Sequence, residues 1–128
     1  KQLKLLPDNI IGIKRTDSVK ELVEIYSAAD VFINPTYEDN YPTVNLEALA
    51  CGTPVITYDT GGSSESVDEA CGFVVKKGDL NGLNSSINII NQNLVSFSEN
   101  AIKKLNSYVK EMMYDKYIDE YQGMIKVF

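Results

Sequence analysis

The sequence of 128 residues contains no histidine and no tryptophan, only two cysteines, and twelve Lys or Arg against eighteen Asp or Glu. Without histidine, the commonest general base and every Ser-His or Cys-His nucleophile pair are missing, so any chemistry must rest on carboxylates, hydroxyls and backbone. The two cysteines, Cys51 and Cys71, form no Cys-x-x-Cys pair. With no His to join them a zinc site is not expected, and both read as small buried residues. The net charge of -6 argues against a nucleic-acid partner, because phosphate neutralisation needs a basic face and these cations are scattered. Apolar stretches are broken within a few residues by Asn, Asp, Glu or Gly, well short of the roughly 18 apolar residues of a membrane span, so a soluble chain is expected. The sequence starts at Lys1, with no Met and no visible basic-then-apolar leader, and is expected to be a piece excised from a longer protein.

A hydrophobic share of 44% suits one compact domain with its own core. Residues 9–13, rich in Ile, read as a short buried strand, and residues 16–18 supply caps for a helix whose apolar positions Val19, Leu22, Val23, Ile25 and Tyr26 follow the 3.6-residue period. Residues 31–33 are too short for a helix and are stopped by Asn34-Pro35, which predicts a second strand. A polar loop with two prolines fills residues 34–42. A helix then runs over 43–51, with Pro42 suited to its first turn and Gly52 to its C-terminal stop. Residues 54–58 form a third strand, 65–68 a short helical turn, and 72–75 a fourth strand. Asp79 caps a helix to about residue 91, and amphipathic helices rich in Tyr, Lys and Glu complete the chain. Their tyrosines, Tyr108, Tyr114, Tyr117 and Tyr121, read as a packing face. Strands alternating with helices imply an α/β fold, a Rossmann-like parallel sheet with helices on both faces. Residues 1–92 would be the core and 93–128 the closing helices.

Ligands of such sheets sit outside the carboxyl ends of the strands. There the loops after the first three strands would gather Lys14 to Asp17, Asn34 to Pro42 and Asp59 to Ser64. Glu38 and Asp39 precede a helix N-terminus whose free NH groups, from Thr43 to Asn45, suit an anion, although acidic side chains before a helix are also ordinary caps. Glu47 is more pointed. It stands between Leu46 and Ala48, and an unpaired buried carboxylate costs several kcal/mol. It must reach solvent, find a structural partner, or face a polar ligand, and its spacing of four from Thr43 favours the ligand. Gly61-Gly62 permits positive φ and close backbone approach, yet most such pairs are only turns. Ser63, Ser64 and Glu65 read as caps of the turn that follows. Lys14 and Arg15 could meet a base or phosphate, or simply be solvated.

The runs Ser27-Ala28-Ala29-Asp30-Val31-Phe32-Ile33-Asn34-Pro35-Thr36, Glu38-Asp39-Asn40-Tyr41-Pro42 and Leu46-Glu47-Ala48-Leu49-Ala50-Cys51-Gly52-Thr53-Pro54-Val55-Ile56, with Gly61-Gly62 and Glu65 behind them, resemble the C-terminal domain of group 1 glycosyltransferases of the GT-B fold. The resemblance implies the donor-binding half of a retaining glycosyltransferase, moving a sugar from a nucleoside diphosphate sugar to a glycan or lipid-linked acceptor. It implies no metal and no further cofactor. By the family's spacing of two acidic residues, Glu47 would hold the ribose hydroxyls. The catalytic-side carboxylate would be Asp39, or Glu38 from one position earlier. Asn40, Tyr41, Thr43 and Val44 would lie by the sugar and diphosphate, with Gly61, Gly62 and Arg15 also counted to the donor site. Pro42 occupies a position where the family offers an NH that proline lacks. The implied partners are a nucleotide sugar and an N-terminal acceptor domain, with no nucleic acid. The implied location is cytoplasmic, at the inner face of a membrane if the missing half docks there. Isolated, the fragment is expected to bind donor weakly and not to turn over. Three other readings compete. A nucleotide-sugar 2-epimerase-like enzyme is disfavoured by the missing histidine. A receiver-like interaction module would place its acidic pocket by the first strand. A catalytically silent α/β scaffold would keep the fold alone.

Overall fold

The computed structural model describes residues 5–14, 16, 18–37 and 43–112, with side chains through residue 107. Helix α1 spans Val19–Ala28 and opens on Ser18, whose hydroxyl accepts from the Glu21 amide. It turns Val23 and Tyr26 inward. Strand β1 is Phe32–Asn34, helix α2 Thr43–Ala50 and strand β2 Val55–Tyr58. A 3-10 turn over Ser63–Ser66 leads to strand β3, Gly72–Val75. Helix α3, Leu80–Gln92, starts on Asp79, which accepts from the Gly82 amide at 3.0 Å, and α4 follows as Leu94–Met112.

The three strands are parallel in the order β1-β2-β3, with Phe32 opposite Val55 and Val55 opposite Gly72. All four residues of β2, the central strand, are buried, and their alternation sends Val55 to one face and Ile56 and Tyr58 to the other. On the first face α1, α2 and the later part of α4 close over Val23, Leu49, Ala101 and Leu105. On the second, α3 and the start of α4 bring Ile90 and Phe97 onto Ile56, Tyr58 and Val75. Helix α2 is buried continuously from Asn45 to Ala50, since it lies between β1, α1 and α4. The fold is thus the expected α/β arrangement with helices on both sheet faces.

Residues 9–13 do not form the first strand expected from their sequence. The Ile10 amide is used in a turn, donating to Pro7 O at 3.0 Å, and Ile11 is 86% exposed. A buried strand needs a neighbour and two covering layers, and this segment has neither among the described residues. A second difference is smaller. The helical turn after β2 begins at Ser63 with Gly62 at its N-cap and no side-chain cap bond, so the serines lie inside the turn rather than capping it. Among the described residues no helix is long and apolar enough to cross a membrane.

Candidate functional site at the carboxyl edge of the sheet

The carboxyl ends of β1 and β2 are joined by side chains, not only by the ladder. Pro35, lacking an NH, ends β1. Behind it Thr57 Oγ1 donates to Asn34 O at 3.3 Å, and Thr60 Oγ1 donates to Thr36 O at 2.9 Å, so the loop leaving β2 is fastened to the loop leaving β1. The Asn34 carboxamide donates to Asn45 Oδ1 at 2.9 Å, which brings the first turn of α2 to the end of β1. Asn45 Nδ2 in turn donates to Ser66 Oγ at 3.0 Å, and Ser66 Oγ donates to Ser63 O at 2.7 Å. Asn45 is fully buried, and buried carboxamides are tolerated when bonded in this way. Ser63 Oγ is buried without a hydrogen-bond partner among the described residues.

This network sets Thr43 and Val44, the opening of α2, beside the segment that follows Gly61-Gly62. Thr43 is exposed and Val44 half-buried, and the first-turn amides of a helix have no intrahelical acceptor. Gly61 has φ of +51°, the left-handed region, whereas Gly62 is ordinary right-handed backbone at φ of -84°. The conformational need read from the pair therefore falls on Gly61 alone.

Glu47, one turn further into α2, is 8% exposed. The Tyr26 hydroxyl of α1 donates to its Oε2 at 3.1 Å. This bond orients the Glu47 carboxylate from a neutral donor. Tyr26 is itself fixed, edge-on against Phe32 with centroids 5.4 Å apart, while its backbone oxygen accepts from Thr53 Oγ1 at 2.6 Å. At the same carboxyl edge the exposed Tyr37 ring meets Tyr58 edge-on at 5.7 Å, and Lys77, just past β3, stands 4.6 Å over the Tyr37 ring. Glu38, Asp39, Asn40, Tyr41, Pro42 and Arg15 lie outside the described residues.

Sequence reasoning counted Asn34 to the edge loop and Asn45 for its backbone amide, but it did not single out the side chains of Asn34, Asn45, Ser66, Tyr26 or Lys77. A signal existed for Asn45, a polar residue in an apolar helix like Glu47, but its partners are 11 and 21 residues away in sequence. A cavity of about 330 Å³ lies on the opposite side of the sheet, at the amino ends of the strands, lined by Ala29, Asp30, Gly52, Thr53, Leu94 and Ser98 among others. Size alone does not make it the site, because the free loop ends and helix N-terminus that bind ligands in parallel sheets lie at the carboxyl edge.

Known proteins give the same direction. The chain is 27% identical over 123 residues to the capsular polysaccharide biosynthesis glycosyltransferase CapM of Staphylococcus aureus, covering 92% of this chain and 32% of that one. It is 26% identical over 110 residues to the N,N'-diacetylbacillosaminyl-diphospho-undecaprenol alpha-1,3-N-acetylgalactosaminyltransferase of Campylobacter jejuni, covering 83% and 29%. The chain thus spans about a third or less of the length of these relatives. Among solved structures, sucrose-phosphate synthase from Thermosynechococcus elongatus matches 68% of this chain and 23% of its own, with TM-score 0.64 and 33% identity. Residues 1–117 match the family model described as "Glycosyl transferases group 1", and the chain belongs to that family.

Proposed function

We propose that these residues form the donor side of a retaining glycosyltransferase that carries a sugar from a nucleoside diphosphate sugar to a glycan or lipid-linked acceptor. The observation that carries the reading is the Asn34 to Asn45 bond, which sets the open first turn of α2 at the carboxyl end of β1 with Glu47 on the same helix. Departure of a nucleoside diphosphate builds negative charge on phosphate, and the amides of Thr43 and Val44 with the positive end of α2 suit it. Glu47, oriented by the Tyr26 phenol, would accept hydrogen bonds from ribose hydroxyls. Asp39, or Glu38, would face the positive charge that develops on the transferred sugar. Asn40, Tyr41, Gly61, Gly62 and Arg15 complete the proposed donor contacts. No metal is assigned a role. The name of the Campylobacter relative specifies an alpha linkage, which supports retention where the donor is itself alpha-configured. A location at the inner face of the membrane fits a lipid-linked acceptor.

The test is the full-length protein assayed with a panel of sugar nucleotides, reading the anomeric configuration of the product. Retention is expected, and inversion would overturn the mechanism. A thermal-shift panel with UDP, GDP and ADP separates this reading from a silent scaffold, because a ligand bound only by the native state raises its Tm. No shift with any of them would favour the scaffold.

A further inference from the structure

Asn45 is fully buried in a helix whose next five residues are buried too, and its carboxamide is used in both directions. It accepts from Asn34 at the end of β1 and donates to Ser66 in the turn behind Gly61-Gly62. Three separate pieces of chain, a strand end, a helix opening and a 3-10 turn, therefore meet on one side chain. An apolar residue could fill the same space, and replacing a buried polar set by apolar groups of like shape is often nearly neutral for stability. What an apolar residue cannot do is fix the mutual position of the three pieces, since dispersion contacts have no direction whereas these two bonds do.

We propose that Asn45 is a positioning residue for the donor, holding the opening of α2 and the Gly61–Ser66 segment at one spacing so that both meet a nucleoside diphosphate together. The inference rests on the donor-binding reading above and adds the residue that aligns its two halves. Asn45 does not touch the ligand. It acts through Thr43 and Val44 on its own helix and through Ser66 on the neighbouring turn. Looser coupling lets each segment bind in its own orientation, and affinity falls because the ligand must then order them.

The experiment measures Kd for UDP, GDP and ADP by calorimetry on the full-length protein, with Tm measured in parallel. Three variants are compared with the wild type: Asn45→Leu, the triple Asn34→Leu/Asn45→Leu/Ser66→Ala, and Ile90→Val from the opposite face of the sheet. For the nucleotide that binds the wild type, Asn45→Leu is expected to raise Kd at least tenfold. The triple variant, which leaves no Asn34 carboxamide or Ser66 hydroxyl facing an apolar residue 45, should recover part of the Tm while Kd stays raised, and Ile90→Val should leave Kd unchanged. Kd returning to the wild-type value together with Tm in the triple variant would reduce Asn45 to a packing role and overturn the proposal. So would a Kd in Asn45→Leu within twofold of wild type. If no nucleotide binds the wild type, the donor-binding reading itself fails and this inference falls with it, an outcome distinct from the other two.

Discussion

The two edges of the parallel sheet are built on different principles. At the carboxyl edge, polar side chains run between elements: Thr57 and Thr60 to the β1 loop, Asn34 to Asn45, and Asn45 to Ser66. At the amino edge the joins run to backbone or are packing, as where Thr53 Oγ1 donates to Tyr26 O at 2.6 Å and the Phe32 amide to Pro54 O at 2.8 Å, with Gly52 closing α2 at φ of +75° beside an open cavity. Apolar contact is cheap to build but tolerates small rotations. Directed hydrogen bonds between buried groups do not, and the relay of side chain to side chain from Asn34 through Asn45 to Ser66 fixes three elements at the carboxyl edge.

The largest expected effect comes from removing the carboxylate of the polar edge. Glu47→Ala in the full-length protein should lower kcat/KM for the donor by about a hundredfold, since hydrogen bonds to a charged group are worth roughly 1.5–3 kcal/mol. Tyr26→Phe, which keeps the carboxylate but removes its orienting phenol, should lower it by no more than about tenfold and cost about 1 kcal/mol of stability. At the other edge Cys51→Ala should leave donor kinetics unchanged. Steady-state kinetics and urea midpoints check all three, and an equal effect from Cys51→Ala would break the contrast between the edges.

A matched pair of glycines sharpens the comparison. Gly52 and Gly61 both hold left-handed backbone, one at each edge, so alanine at either should cost about 1–2 kcal/mol in strain. At Gly52 the added Cβ would also come within 3.1 Å of Ser98 Oγ and 3.3 Å of Ile102 Cδ1, which adds crowding to the strain. Only Gly61→Ala should weaken nucleotide binding. Urea denaturation read beside nucleotide Kd distinguishes the two, and a loss of binding in Gly52→Ala alone would reverse the assignment of the edges.

The smallest effect concerns pH. Burial pushes the Cys51 thiol up to about 11, reinforced by the charge of Glu47 and partly offset by a hydrogen bond with Ser27. Burial likewise pushes Cys71 up to about 11, with the Asp68 backbone bond working against it. The folded state holds these protons more tightly than the unfolded chain, whose thiols have the ordinary value of 9.0. Their contribution is therefore complete below about pH 9 and is lost as pH rises from there through about 11. Native-state labelling by a thiol reagent should be slow at pH 8, and Tm should fall between pH 9 and 11 by less in the Cys71→Ala variant. Rapid labelling of both thiols at pH 8 would contradict the burial argument.

Much of this was legible in the sequence wherever the determinant was local. The caps Ser18 and Asp79, the stop at Gly52 and the apolar run 72–75 each act through neighbours a few residues away, and each reappears in the structure. Residues 9–13 misled because an apolar run reports a preference for burial and not whether a partner strand lies beside it. The isolation of Glu47 among apolar neighbours correctly flagged a residue in need of a partner, yet nothing near it in sequence pointed to Tyr26, 21 residues earlier. Asn45 was harder still, because its meaning depends on two other elements arriving at the same place.

Amide hydrogen exchange on the full-length protein, with and without the nucleoside diphosphate that binds it, tests the central claim most directly. Slowed exchange is expected over residues 43–47 and 60–66, with no change over 51–54 and 94–99. Protection confined to the second pair of segments, those lining the amino-edge cavity, would contradict a donor site at the carboxyl edge of the sheet.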